Sequence, residues 1–272
     1  LLPKTASATT TLTLHRDGNQ LQSQTASETH LSRSLGSTNQ IAYLNLREYT
    51  TVSADRVRDD YTSLVSAGSG GSKGVILDLR QNGGGSLSGA WNLTDFLGPS
   101  SVDNQIMFSL QQQSQGFDYR FGVYGSNLGI IDPSKFVILI DSSSASASEL
   151  TSAALKDLGI ATLMGGQSYG KGVGQNVVGL LDGSGAYITS FELLSPLGNS
   201  WHNLGVSPDY PLSTALPATP TDDTLLQAAI DFIETGSVSQ ATTSRRTTKS
   251  PLLLSVPPYS HPWDGGSRQR LN

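Results

Sequence analysis

An α/β fold is predicted by two near-continuous apolar runs, by helical patterns that alternate with them, and by a loop of small residues after each run. GVILDL (74–79) and FVILI (136–140) are almost free of polar residues, as expected of strands buried on both faces of a sheet. Strands of this kind alternating with helices define the α/β class, and such sheets place their sites in loops at the strand ends.

Residues 10–26 (TTLTLHRDGNQLQSQTA) alternate apolar and polar positions around Asp17-Gly18, a hairpin turn signal. The polar stretch Ser27 to Gln40 separates this hairpin from IAYLNL (41–46), a strand. Ser53 opens a helix through Val57, Tyr61 and Leu64 that ends at the linker AGSGGSKG. After GVILDL come the flexible loop RQNGGGS and a helix around Ala90 to Phe96. A pair of β segments is expected within 105–124. FVILI leads through a polar loop into a helix near 146–158, closed by Gly159. β character returns in 174–193, around a turn at Asp182-Gly183. Thr221-Asp222-Asp223 caps a last helix with apolar Leu226, Ile230 and Ile233. Beyond Gly236 the sequence is rich in Ser, Thr, Pro and Arg without apolar periodicity, and is expected to be a disordered tail.

A chain of 272 residues holds one good-sized core with room for a smaller appendage. The net charge of −5 gives no basic footprint for nucleic acid. No apolar run is long enough to span a bilayer. The absence of cysteine excludes disulfides and thiolate metal sites, and His15, His30, His202 and His261 show no metal-ligand spacing. The start, Leu1-Leu2-Pro3, lacks a methionine and a signal-like segment, so the chain is expected to be processed or a fragment.

Three loops carry candidate chemistry. In DSSSASASE (141–149), Ser146-x-x-Glu149 reads as a capping box, or as a serine nucleophile where free helix N–H groups can stabilise an oxyanion. In GGQSYGKGV (165–173), the glycines and Lys171 approach a phosphate-binding loop. That reading needs Ser or Thr after the lysine and a helix there; Gly172 follows, and VGQNVVGLL has β character. The remaining readings are a solvated lysine or a general base beside Ser146. Gly170, Gly172 and Gly174 favour the base, because close backbone approach is not needed at a surface lysine. In LRQNGGGS (79–86), the glycines make a tight turn or supply N–H groups to an oxyanion hole.

DLRQNGGG, SASASELTSAALKDLG and YGKGVGQ, in this order, resemble the signature segments of the C-terminal processing peptidases, or tail-specific proteases. LGVSPDYPL (204–212) is similar to that family's closing Gly-x-x-Pro-Asp segment, so the likeness covers roughly residues 41–212. The resemblance implies a Clp-protease/crotonase-like core and a serine–lysine dyad needing no metal or cofactor. It carries over Ser146 as nucleophile, Lys171 as base and Gln175 as support for the lysine. Ala147 N–H and that of Gly84 or Gly85 match the oxyanion hole. Asp157 falls at a position linked to activity in some members, but eleven residues of helix put it about 16 Å from Ser146, which favours a structural role. Four extended residues would likewise put Gln175 about 13 Å from Lys171 unless the segment folds back. The implied organisation is a partial PDZ-like hairpin and linker (1–36), a catalytic core (37–236) and the tail (237–272). The implied substrates are proteins or peptides bound by their C-terminal region, in a periplasm, cell envelope or thylakoid lumen. The alternatives are a non-catalytic relative that binds peptides or other ligands in the same cleft, and a nucleotide-binding protein.

Overall fold

The two apolar runs become neighbouring parallel strands at the centre of a sheet. The structure is a computed structural model, and it describes residues 30–35, 40–67, 73–103, 105–112, 117–122, 132–182, 184–213 and 223–238. The chain runs β1 (His30–Leu35), β2 (Ile41–Leu46), α1 (Ser53–Ala67), β3 (Gly74–Asp78), α2 (Leu87–Leu97), β4 (Ile106–Gln112) and β5 (Phe117–Gly122). It continues through β6 (Phe136–Ile140), α3 (Ala147–Asp157), β7 (Thr162–Gly165), β8 (Val173–Gly179), β9 (Gly185–Leu194), β10 (Tyr210–Pro211) and α4 (Thr224–Thr235).

One sheet has the order β1-β2-β3-β6-β7-β10, parallel throughout except for the antiparallel β1 edge. A second, antiparallel sheet has the order β5-β4-β9-β8. Strand alternation explains why the runs are apolar at successive positions. Leu77 and Ile138 enter the cluster that includes Ala90, Leu93, Leu150 and Leu155 of α2 and α3. Ile76, Val137 and Leu139 enter the cluster on the opposite face, with Leu225, Ala229, Phe232 and Ile233 of α4. Each such side chain contributes about 1.5–3 kcal/mol on burial.

Helix α4 is anchored by charge as well as by packing. Its N-cap, Asp223, accepts the Leu226 N–H, as the Asp-rich cap signal predicts. The same carboxylate takes two hydrogen bonds from Arg80, whose Nε and Nη2 also bond Asp78. Burial pulls the Arg80 guanidinium toward losing its proton, but hydrogen bonds and the charges of both aspartates outweigh burial and hold it firmly protonated. Arg80 lies directly before the glycine loop, so the trio fixes where that loop leaves β3.

Two strands depart from the sequence expectation. β1 lies within the polar stretch 27–40, so the sheet begins inside the segment assigned to the linker. Its backbone pairs with β2 over His30↔Leu46 to Leu35↔Ile41, an edge that sequence periodicity alone does not reveal. β7 is only four residues long, too short for a periodic signal, yet all four are buried. The hairpin expected in 10–26 and the tail beyond Val238 lie outside the described residues.

Candidate active site

Three loops meet where β3, β6 and β7 end. The β6 loop delivers Ser146 to the N-terminus of α3 with φ 56° and ψ −112°. A positive φ is sterically unfavourable for a residue with a Cβ, and this ψ lies outside even the small left-handed well. The strain is held by buried polar contacts. Asp141 accepts the N–H groups of Gln81, Ser143 and Ser144, and the Asn82 carbonyl accepts Ala145 N–H and the Ser148 hydroxyl. Ser146 and Glu149 are arranged as a capping box. Its carboxylate half is a 2.8 Å bond from Ser146 N–H to Glu149 Oε2, and the serine hydroxyl makes no capping hydrogen bond.

The glycine loop presses against this serine. A Cβ on Gly84, whose φ is 100°, would lie 2.8 Å from Ser146 Cβ and 2.7 Å from the Ala145 carbonyl oxygen. Only glycine allows that approach. The Gly84 N–H is donated to Asn82 Oδ1 at 2.9 Å. Gly84 C=O and Ser86 N–H both bond Tyr49 across an isolated parallel bridge, in which Tyr49 takes no bond from Gly85 N–H. Among the described residues, neither Gly85 N–H nor Ala147 N–H has an acceptor.

Lys171 is half-buried in the segment between β7 and β8. Its neighbours are strapped by the 200–205 loop. Asn203 N–H bonds the Gly170 carbonyl, and a Cβ on Gly172 would lie 2.7 Å from His202 N. The glycines beside the lysine therefore serve close packing, as their spacing suggests. Lys171 N–H donates to Glu149 Oε2 at 2.8 Å, the oxygen that also takes Ser146 N–H. The two amide nitrogens are thus no farther apart than twice that bond length. Among the described residues, no hydrogen bond joins the serine hydroxyl to the lysine amine, and the amine has no carboxylate partner.

Other expected residues lie farther out. Gln175 sits on β8, exposed and paired with Thr189 just past a bulge, with no side-chain hydrogen bond among the described residues. Asp157 ends α3 and accepts Leu197 N–H at 3.4 Å from an exposed turn. Asp209, from the closing segment, ties β7 to Lys156 at the far end of α3. Glu149, Asn82, Asp141 and Ser168 escaped notice as fasteners. Only Glu149 carried a local signal, the capping spacing. Among the described residues, no cluster of His, Asp or Glu suits a metal ion, and no helix is long and apolar enough to cross a membrane.

The profile of peptidase family S41 matches residues 40–212, which include all three loops. The chain belongs to peptidase family S41. A chloroplastic C-terminal processing peptidase of Tetradesmus obliquus is 32% identical over 183 residues, which are 67% of this chain and 37% of that protein. The carboxyl-terminal-processing protease of Synechocystis is 31% identical over 205 residues, covering 74% of this chain and 45% of the relative. The chain thus spans under half the length of both relatives. A solved photosystem II D1 C-terminal processing protease superposes with a TM-score of 0.58 at 27% identity, over 74% of this chain and 52% of its own. The α/β core is therefore the S41 peptidase fold.

Proposed function

We propose that the chain is the proteolytic core of a serine endopeptidase that cuts protein substrates near their C-termini. The observation that carries this reading is Ser146, held in a strained conformation at a helix N-terminus against a glycine loop with unclaimed N–H groups. Such strain persists only where the surrounding structure over-determines the backbone, and it clusters at active sites. Ser146 Oγ attacks the scissile carbonyl carbon while Lys171 Nζ, acting as base, takes its proton. The developing oxyanion is bound by Ala147 N–H and Gly85 N–H, with Gly84 providing the close approach. Lys171 then returns the proton to the leaving amine, and water hydrolyses the acyl-enzyme by the same route. Catalytic hydrogen bonds often close only when substrate is bound, which accommodates the open serine–lysine pair. Exposed Gln175 gains a supporting role only if substrate draws β8 inward. The names of the relatives support a C-terminal processing role, and the Tetradesmus obliquus relative is named as chloroplastic.

The test is substitution followed by hydrolysis of a quenched fluorescent peptide with a free C-terminus. Ser146→Ala, Lys171→Ala and Lys171→Arg should each lower kcat by at least about 1,000-fold. Arginine retains the charge but cannot act as a base, so a Lys171→Arg enzyme with near wild-type turnover would exclude the mechanism.

A further inference from the structure

We infer that Glu149 is the positioning residue of the dyad, one carboxylate setting the spacing between nucleophile and base; the inference rests on the serine–lysine reading above. A capping box accounts for only one of its four hydrogen bonds. Oε2 takes Ser146 N–H and Lys171 N–H, each at 2.8 Å, while Oε1 takes the Ser168 hydroxyl at 2.6 Å and Gly170 N–H at 2.5 Å. Three of these donors come from a segment that follows the intervening helix and β7. A helix cap does not require them.

The side chain is fully buried, and its partners are neutral donors. A buried carboxylate is unfavourable unless donors fill its oxygens, and the α3 N-terminus adds a favourable dipole. The Ser168 hydroxyl also accepts Val206 N–H at 2.6 Å, which extends the clamp to the closing segment. An amide in this place would keep one acceptor oxygen and turn an NH₂ group toward two donors. With the NH₂ at the Oε1 position it can donate to the Ser168 hydroxyl but opposes Gly170 N–H. In the other orientation it opposes Ser146 and Lys171 N–H, so glutamine always loses a fastening in the 170–171 segment. Loosened at Gly170 or at Lys171 itself, the lysine backbone shifts relative to Ser146, and a 1 Å error in such geometry costs on the order of 100-fold in rate.

The experiment uses the intact chain, with active sites titrated by a fluorophosphonate and turnover expressed per titrated site. Glu149→Gln should lower kcat per site about 100-fold and leave KM within about threefold. Glu149→Asp keeps both oxygens one methylene short and should recover part of the loss, to about tenfold below wild type. A merely structural role would reduce the titratable fraction or the Tm while each surviving site turned over normally, and that result overturns the inference. If Glu149→Gln does not fold, Glu149→Asp and Ser168→Ala decide. Wild-type kcat per site in both overturns it, and a fall in both supports it. Ser146→Ala separates the two levels. An inactive Ser146→Ala beside a fully active Glu149→Gln removes only the clamp, whereas an active Ser146→Ala removes the dyad reading and the clamp with it.

Discussion

Strand β6 is buried at every position, whereas β8 is exposed from Gln175 to Gly179; both border the same site. The β6 end leads into the Ser146 loop, and β8 starts two residues after Lys171. On the paired β8 and β9 strands, Val177 is 64% exposed and its partner Tyr187 is 74% exposed. Serine is thus carried by a packed parallel sheet, and lysine by the root of an apolar hairpin with little beneath it. On the first side, packing fixes the strand, and the Asp141 and Asn82 hydrogen bonds fix the loop that follows it. On the second, precision comes from directed hydrogen bonds, through Glu149 and the 200–205 loop.

The contrast can be broken most severely at the contact between loops. Gly84→Ala places a methyl group against Ser146 Cβ and the Ala145 carbonyl at a φ that disfavours it, so peptide hydrolysis should fall below detection. Activity near wild type would show that the glycine loop does not abut the serine. Next comes Ile138→Ala in β6, expected to cost about 2–5 kcal/mol in chemical denaturation. Val177→Ser on the exposed ribbon should change stability by no more than about 0.5 kcal/mol. Equal losses at the two positions would erase the distinction between the regions.

The smallest effect concerns the hairpin turn in acid. The Ser184 hydroxyl and N–H hold the Asp182 carboxyl below the ordinary aspartate range. A carboxyl lowered on folding adds stability above its unfolded pKa, and that stability is lost as pH falls through the lowered value. Below about pH 4, Leu180 N–H, which bonds the Ser184 carbonyl, should lose protection from hydrogen exchange relative to its intrinsic rate. β6 amides should keep theirs. Uniform loss across both regions would mean that the hairpin and sheet open together.

Much of the candidate site is legible in the sequence. Ser146 and Lys171 stand in segments whose residue types and order point to one chemistry, and the glycines around them announce close approach. Capping and turn residues marked the ends of α3 and α4, because those signals act within a few residues. The glycine loop offers fewer free donors in structure than in sequence, since the Asn82 side chain claims Gly84 N–H and leaves Gly85. Gln175 shows the converse. Its likeness to a supporting glutamine says nothing about the direction of an exposed strand.

By itself, the sequence determined the α/β class and the two central strands, because apolar period reports burial directly. Through its family resemblance it nominated Ser146 and Lys171 as candidate nucleophile and base. Tertiary structure alone decided that β1 and β7 join the sheet, that Arg80 locks α4 to the root of the glycine loop, and that Glu149 serves two segments rather than one helix end. Those outcomes depend on which distant donors meet a given acceptor once the chain is packed, and neither periodicity nor propensity carries that information.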